Sequence, residues 1–198
     1  GHGGAATIRV AGEDLIETGP ATAVHESADA NTRVIQAAIN AAAAGDTVAL
    51  PPGSFLVRTI VIRNKKDVSF KGAGAGRTIL RRHAERWDND TQGVFPGLGI
   101  LHVTEVAGLE LSGITFDGSA RHMEIKGRGD FGPDRTIRSG TPQFPECDPA
   151  GPQSHTVAIE RSIDVRIHDA GFRDGFRWCV SIGQVKGLEF RDNTIVTG

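Results

Sequence analysis

Tyrosine is absent from this chain, methionine occurs once, and no apolar run approaches the ~18 residues that a membrane span needs. Two cysteines, Cys147 and Cys179, are too few for a disulfide framework. One bridge or two separate thiols both remain open. No spacing among the histidines and cysteines resembles a zinc site. Charge of one sign is lacking too. With 22 basic and 24 acidic residues the net charge is −2, so no field favours a nucleic-acid backbone or an anionic membrane, and neither is expected as a partner. No signal peptide is visible. Gly1-His2-Gly3-Gly4 reads as a scar or a trimmed start and is left out of the fold argument.

What is present is 26 glycines and a hydrophobic fraction of 38 % carried mainly by Val, Ile, Leu and Ala. Frequent turns around a narrow β interior in a single domain suit that composition. One apolar template then recurs four times. Ile60-x-Ile62 pairs with Val68-x-Phe70, Leu101-x-Val103 with Leu109-x-Leu111, Val157-x-Ile159 with Val165-x-Ile167, and Val180-x-Ile182 with Leu188-x-Phe190. Each copy is two short alternating runs, which is strand period. Each turns next at Gly72, Gly113, Asp169 or Asp192, and a third run follows in three copies, at Ile114-x-Phe116, Ala170-x-Phe172 and Asn193-x-Ile195. Strands repeating at a fixed period without helices between them define a solenoid.

The copies start at residues 60, 101, 157 and 180, so a bare coil is 23 residues and the first two gaps hold 18 and 33 more. These extras form insertions near 81–99 and 119–154, leaving neighbouring coils at one corner. Loops of that length on a rigid scaffold build groove walls. Upstream, Thr7 to Val10 reads as a short strand and Glu13 to Ser27 as irregular. Val34, Ile35, Ala38, Ile39 and Ala42 mark a helix over 29–44, with Asp29 or Asn31 as its cap and Gly45 as a left-handed stop. Such a helix covers the open end of the first coil. The expected organisation is an extension over 1–28 followed by a capped solenoid over 29–198.

The run Asn31-Thr-Arg-Val-Ile-Gln-Ala-Ala-Ile-Asn-Ala-Ala-Ala-Ala-Gly-Asp-Thr-Val-Ala-Leu-Pro-Pro-Gly-Ser-Phe-Leu-Val resembles the cap and first coil of the pectate-lyase-like superfamily. The resemblance covers roughly 29–198. It implies an all-β fold, a right-handed parallel β-helix with an amino-terminal capping α-helix, and a polysaccharide or oligosaccharide as partner. Members include pectate lyases, polygalacturonases, alginate epimerases and phage tailspikes. The implied activity is therefore glycoside hydrolase, lyase or epimerase, in an extracellular or cell-surface setting. The other implied role is a non-catalytic glycan-binding adhesin or tailspike-like module, usually a trimer. Three family motifs are missing here. Arg177-Trp178 stands before Cys179-Val180-Ser181-Ile182 where polygalacturonases have paired aspartates, and neither the Asp-Pro-His-Glu motif of the epimerases nor the pectate-lyase Trp-Ile-Asp-His type run occurs.

Candidate chemistry lies on the corners and insertions. Asp117-Gly118 and Asp174-Gly175 would lie one coil apart, coils being ~4.8 Å apart. Two carboxylates so placed can serve as acid and base, or hold a Ca²⁺. Arg173 and Arg177 are the candidates to neutralise a sugar carboxylate or take a proton, and His122 and His155 are candidate proton carriers. Asp before Gly is equally ordinary turn chemistry, and Asp beside Arg an ion pair. Trp87 and Trp178 can stack on a sugar ring, with Arg128 and Asp130 of the second insertion as further substrate contacts. His102 and His168 fall at outward or turn positions, where structural roles are expected. The sequence stops just after a strand, which points to further coils beyond Gly198 or to another chain covering that end.

Overall fold

The computed structural model describes residues 5–17, 24–82, 99–118, 155–175 and 178–196, with helix side chains from Ser27 onward. A short strand β1 (Thr7–Arg9) and a helix α1 (Val24–Ala41) precede β2 (Thr47–Ala49) and β3 (Gly53–Val57). Coil 1 is β4 (Ile60–Arg63), β5 (Lys66–Lys71) and β6 (Thr78–Arg82). Coil 2 is β7 (Leu101–Thr104), β8 (Ala107–Ser112) and β9 (Thr115–Asp117). In the last two coils the first two runs fuse, giving β10 (His155–His168) with β11 (Gly171–Arg173), then β12 (Trp178–Arg191) with β13 (Thr194–Val196).

Every pairing between the named strands is parallel, and the predicted register holds on the first two faces and, over coils 2 to 4, on the third. Ile60, Leu101, Val157 and Val180 form one column, and Val68, Leu109, Val165 and Leu188 another. On the third face Leu80, Phe116, Phe172 and Ile195 are stacked. The first face is thus β4, β7 and the leading halves of β10 and β12. The second runs β1, β2, β5, β8 and the trailing halves, and the third β3, β6, β9, β11 and β13. Side chains of coils 1 to 3 in these columns are almost fully buried, each contributing about 1.5–3 kcal/mol. In coil 4 the inward Leu188, Phe190 and Ile195 are 37–48 % exposed.

The corners repeat as faithfully as the strands. Asn64, Glu105, Arg161 and Gln184, each four residues into its coil, all have φ between 45° and 56°. Three residues on, Asp67, Gly108, Asp164 and Gly187 are left-handed as well. The alternation of Asp and Gly has a steric cause. A β-carbon at Gly108 or Gly187 would collide with the carboxylate of Asp67 or Asp164 in the coil below.

At the lower end every sheet edge is met. β1 pairs with β2 below the second face, and the Asp46 carboxylate accepts from Ala6 N (2.8 Å) and Ala43 N (2.9 Å). Those two backbone hydrogen bonds hold the Asp46 carboxyl below its usual value. Glu17 bridges Phe55 on the third face. Beneath the first face, Gln36 Nε2 donates to Val61 O and its Oε1 accepts from Val61 N, both at 2.8 Å. Thr32 Oγ1 accepts from Arg58 N at 2.8 Å. The helix therefore closes the solenoid with polar hooks as well as with buried Ile35, Ile39 and Ala42.

Three expectations are corrected here. The helix spans 24–41 rather than 29–44, since Ala28 is already part of its buried stripe. Asn31 and Asp29 are interior to it and cap nothing. Asn31 is buried and bonds Ile16 and Leu56, while Asp29 pairs with Arg58. Finally, coil 1 does have a third run, β6, set back by a longer Gly72–Arg77 turn, so Arg81 and Arg82 belong to a strand.

Outward positions on the second face form a charge network. Glu110 accepts from Lys71 Nζ (2.7 Å) and Ser69 Oγ (3.3 Å) of coil 1, and pairs with His168 Nε2 (3.1 Å) of coil 3. Partial burial pushes the Glu110 carboxyl up, but the bonds from Lys71 and His168 outweigh it and hold it below the ordinary glutamate value. A lowered folded-state value means stability that is complete above the unfolded value of about 4.3 and lost as pH falls through the folded one. Urea midpoints of wild type and Glu110→Gln should accordingly differ most near pH 6 and converge below about pH 4. A gap that is unchanged by acid would show that this network does not stabilise the fold.

Candidate functional site

Four strand ends meet at the corner where the third face gives way to the first. Asp117 ends β9, Arg173 ends β11 one coil above, and β10 and β12 begin there with His155 and Trp178. Their approach is close. A β-carbon on Gly118 would strike Thr156 Oγ1 at 2.6 Å and Asp174 O at 2.5 Å, and one on Gly175 would strike Cys179 N at 2.8 Å. Only glycine fits either place, which accounts for both Asp-Gly pairs. Asp174 reaches the corner with φ at 50°.

The in-register neighbour of Asp117 is Arg173, with Asp174 one residue further on. Asp117 is buried, and its Oδ2 accepts from Arg173 Nε (3.0 Å) and Nη2 (2.8 Å) and from Arg81 Nε (3.4 Å) of coil 1. Arg81, Asp117 and Arg173 are thus a vertical row, an ion pair extended over three coils. Two guanidinium groups on one carboxylate do not suit a Ca²⁺ ligand, because they would repel the cation. Among the described residues no group of three or more His, Cys, Asp or Glu could hold a metal ion.

His155 is buried and its ring lies flat under Trp178, with centroids 4.7 Å apart and planes at 8°. Trp178 is 54 % exposed. The pair follows from register, since His155 and Trp178 are partners in the ladder of β10 and β12. Cys179, next in the chain, is a free buried thiol, and burial together with the Asp174 carboxylate pushes its pKa up. The corner therefore gathers Asp117, Arg173, Asp174, His155 and Trp178 of the predicted residues. Trp87, His122, Arg128, Asp130, Cys147 and Arg177 lie outside the described residues. Arg81 joins this site because β6 runs on to Arg82, into the span where the repeat spacing alone predicts an insertion.

Parallel sheets on three faces, a 23-residue step between coils 3 and 4 and a helix across the first coil define a right-handed parallel β-helix. The A-module of mannuronan C-5 epimerase AlgE6 from Azotobacter vinelandii is similar at 18 % identity, with a TM-score of 0.52 over 83 % of this chain and 45 % of that one. ORF18 of Geobacillus virus E2 is similar at 17 % identity, with a TM-score of 0.48 over 84 % of this chain and 26 % of that one. The chain spans less than half the length of either structure. No family model and no curated protein matches it.

Proposed function

We propose that the protein is a polysaccharide-active β-helix, a hydrolase, lyase or epimerase, that holds its glycan along the corner between the third and first faces. The observation that carries this reading is Trp178, an exposed indole backed by the buried His155 ring. A large flat apolar face fixed by a ring behind it can stack on a pyranose without losing side-chain freedom. The charged row of Arg81, Asp117 and Arg173 beside it can bond the hydroxyl or acidic groups of the sugar. Asp174, Arg177, His122 and His155 remain the proposed reactive groups, and an extracellular setting belongs to the same proposal. The name of the similar A-module speaks for a uronate-containing polymer, as precedent for the fold alone.

A second reading, a binding module without turnover, is favoured by one specific observation. The Oδ2 of Asp117 already accepts three guanidinium bonds. Titration calorimetry with cello-, manno-, galacturono- and mannurono-hexasaccharides tests the shared premise. Trp178→Ala is expected to weaken binding of whichever sugar binds by about tenfold or more. Equal affinity in that variant removes the proposed corner. Mass spectrometry and proton NMR of the incubated sugars then separate the readings. Shortened, unsaturated or epimerised products mark an enzyme, and unaltered bound sugar marks the module.

A further inference from the structure

We propose that Arg81 determines specificity at this corner, making it prefer a glycan that carries an acidic substituent, either a carboxylate or a sulfate ester. This rests on the glycan reading above and adds the charge of the substrate to it. The row of Arg81, Asp117 and Arg173 sets two guanidinium groups against one carboxylate. Among the described residues neither arginine pairs with any other acid. Asp174, the second carboxylate of the corner, bears on the Cys179 thiol. The row therefore keeps one positive charge in excess.

Distance assigns that excess to Arg81. Arg173 donates to Asp117 Oδ2 through Nε at 3.0 Å and Nη2 at 2.8 Å, whereas Arg81 reaches the same oxygen only through Nε at 3.4 Å. The Nη1 and Nη2 atoms of Arg81 make no hydrogen bond among the described residues. They are accessible as well. No nitrogen of Arg81 or Arg173 is both buried and unbonded, and the two side chains are 36 % and 41 % exposed, against 10 % for Asp117. Register fixes the root of each arginine, since both are ladder partners of Asp117 from the coils below and above.

The two terminal nitrogens of a guanidinium form a planar fork whose parallel N–H groups match two oxygens of one carboxylate or sulfate. A sugar hydroxyl fills one prong and leaves the charge uncompensated. An acidic substituent fills both and neutralises it. Asp117 acts through the arginines, as a positioning residue that holds the Nε edge of Arg81 and leaves the fork open. Partial exposure screens the attraction, so the gain is about tenfold in affinity rather than the larger factor of a buried pair.

Calorimetry with the same four hexasaccharides and a sulfated carrageenan hexasaccharide provides the test, with circular dichroism to confirm folding. Wild type is expected to bind its best acidic sugar about tenfold or more tighter than its best neutral one, and Arg81→Gln to bring that ratio within about threefold of unity. Raising salt from about 0.05 to about 0.5 M is expected to shrink the wild-type ratio and leave that of the variant in place. Trp178→Ala weakens acidic and neutral sugars alike and keeps the ratio. Whether the uronate sugars or the carrageenan bind best tells carboxylate from sulfate. If wild type binds none of the five sugars, this proposal and the glycan reading both go. A neutral sugar bound as tightly as any acidic one, or a preference that survives Arg81→Gln, overturns this proposal and leaves the glycan reading standing. Should Arg81→Gln not fold, Arg81→Lys decides, since it keeps the charge without the fork: a loss of about threefold in the ratio is expected, and an unchanged ratio overturns the proposal.

Discussion

Phe172→Ala is expected to cost about 3–5 kcal/mol of folding stability, read as a lowered denaturation midpoint at unchanged slope. Phe172 is the middle ring of an interior stack. Its centroid lies 5.6 Å from that of Phe116 and 5.9 Å from that of Phe190, with interplanar angles of 14° and 27°. Truncation removes the transfer energy of the ring and leaves a cavity, and the closed coil around it has little room to collapse. Both neighbours lose a packing surface as well. Because Phe190 is 37 % exposed whereas Phe116 is fully buried, coil 4 is expected to loosen first, seen as faster hydrogen exchange in β12 and β13. A loss below about 1 kcal/mol would mean that the interior is not close-packed at this level.

Asn31→Ala is the second large effect, at about 2–4 kcal/mol. Alanine is the better helix former, so α1 itself gains slightly. The loss comes from elsewhere. Asn31 Oδ1 accepts from Ile16 N at 2.7 Å, and its Nδ2 donates to Ile16 O at 2.9 Å and to Leu56 O at 3.0 Å. The residue is fully buried. Removing the amide strands three backbone groups, and unmade buried hydrogen bonds cost more than made ones contribute. An ordinary helix cap would lose about 1 kcal/mol, so the size of the change separates anchor from cap. Faster exchange of the Ile16 amide is the local signature. If residues 5–17 keep their protection in the variant, Asn31 is not what fastens them.

Legibility in the sequence follows the kind of force involved. Interior columns were readable because inward positions must be apolar and recur at one spacing, so Val157 over Val180 follows from counting. β6 was hidden because the Gly72–Arg77 turn moves Leu80 five residues later than the interval from Leu111 to Phe116 or from Ile167 to Phe172. Asn31 misled because an Asn ahead of an amphipathic stripe has the chemistry of a cap, and nothing local distinguishes that from a buried anchor reaching residues 15 and 25 positions away. At the corner, adjacency of Asp117 and the Arg173-Asp174 pair was readable from register. Which of the two neighbours would take the carboxylate was not, since one residue of offset decides between Arg173 and Asp174. The stacking of Trp178 on His155 is implicit in the 23-residue period, yet it concerns a strand-initial position where alternation says nothing about direction.

The left-handed corners carry an implication for how such a molecule can change in length. Each 23-residue unit from coil 3 onward repeats its bends at identical offsets and touches only the unit above and below. An in-frame duplication of two successive units inserts a pair of storeys that keeps both the bends and the Asp-Gly alternation in step. Duplicating coil 3 alone keeps the bends aligned but sets Asp164 beneath its own copy, and a partial unit placed anywhere but the insertion corner puts a bend beneath a strand. Away from the insertion corner, growth by pairs of storeys is what this architecture admits.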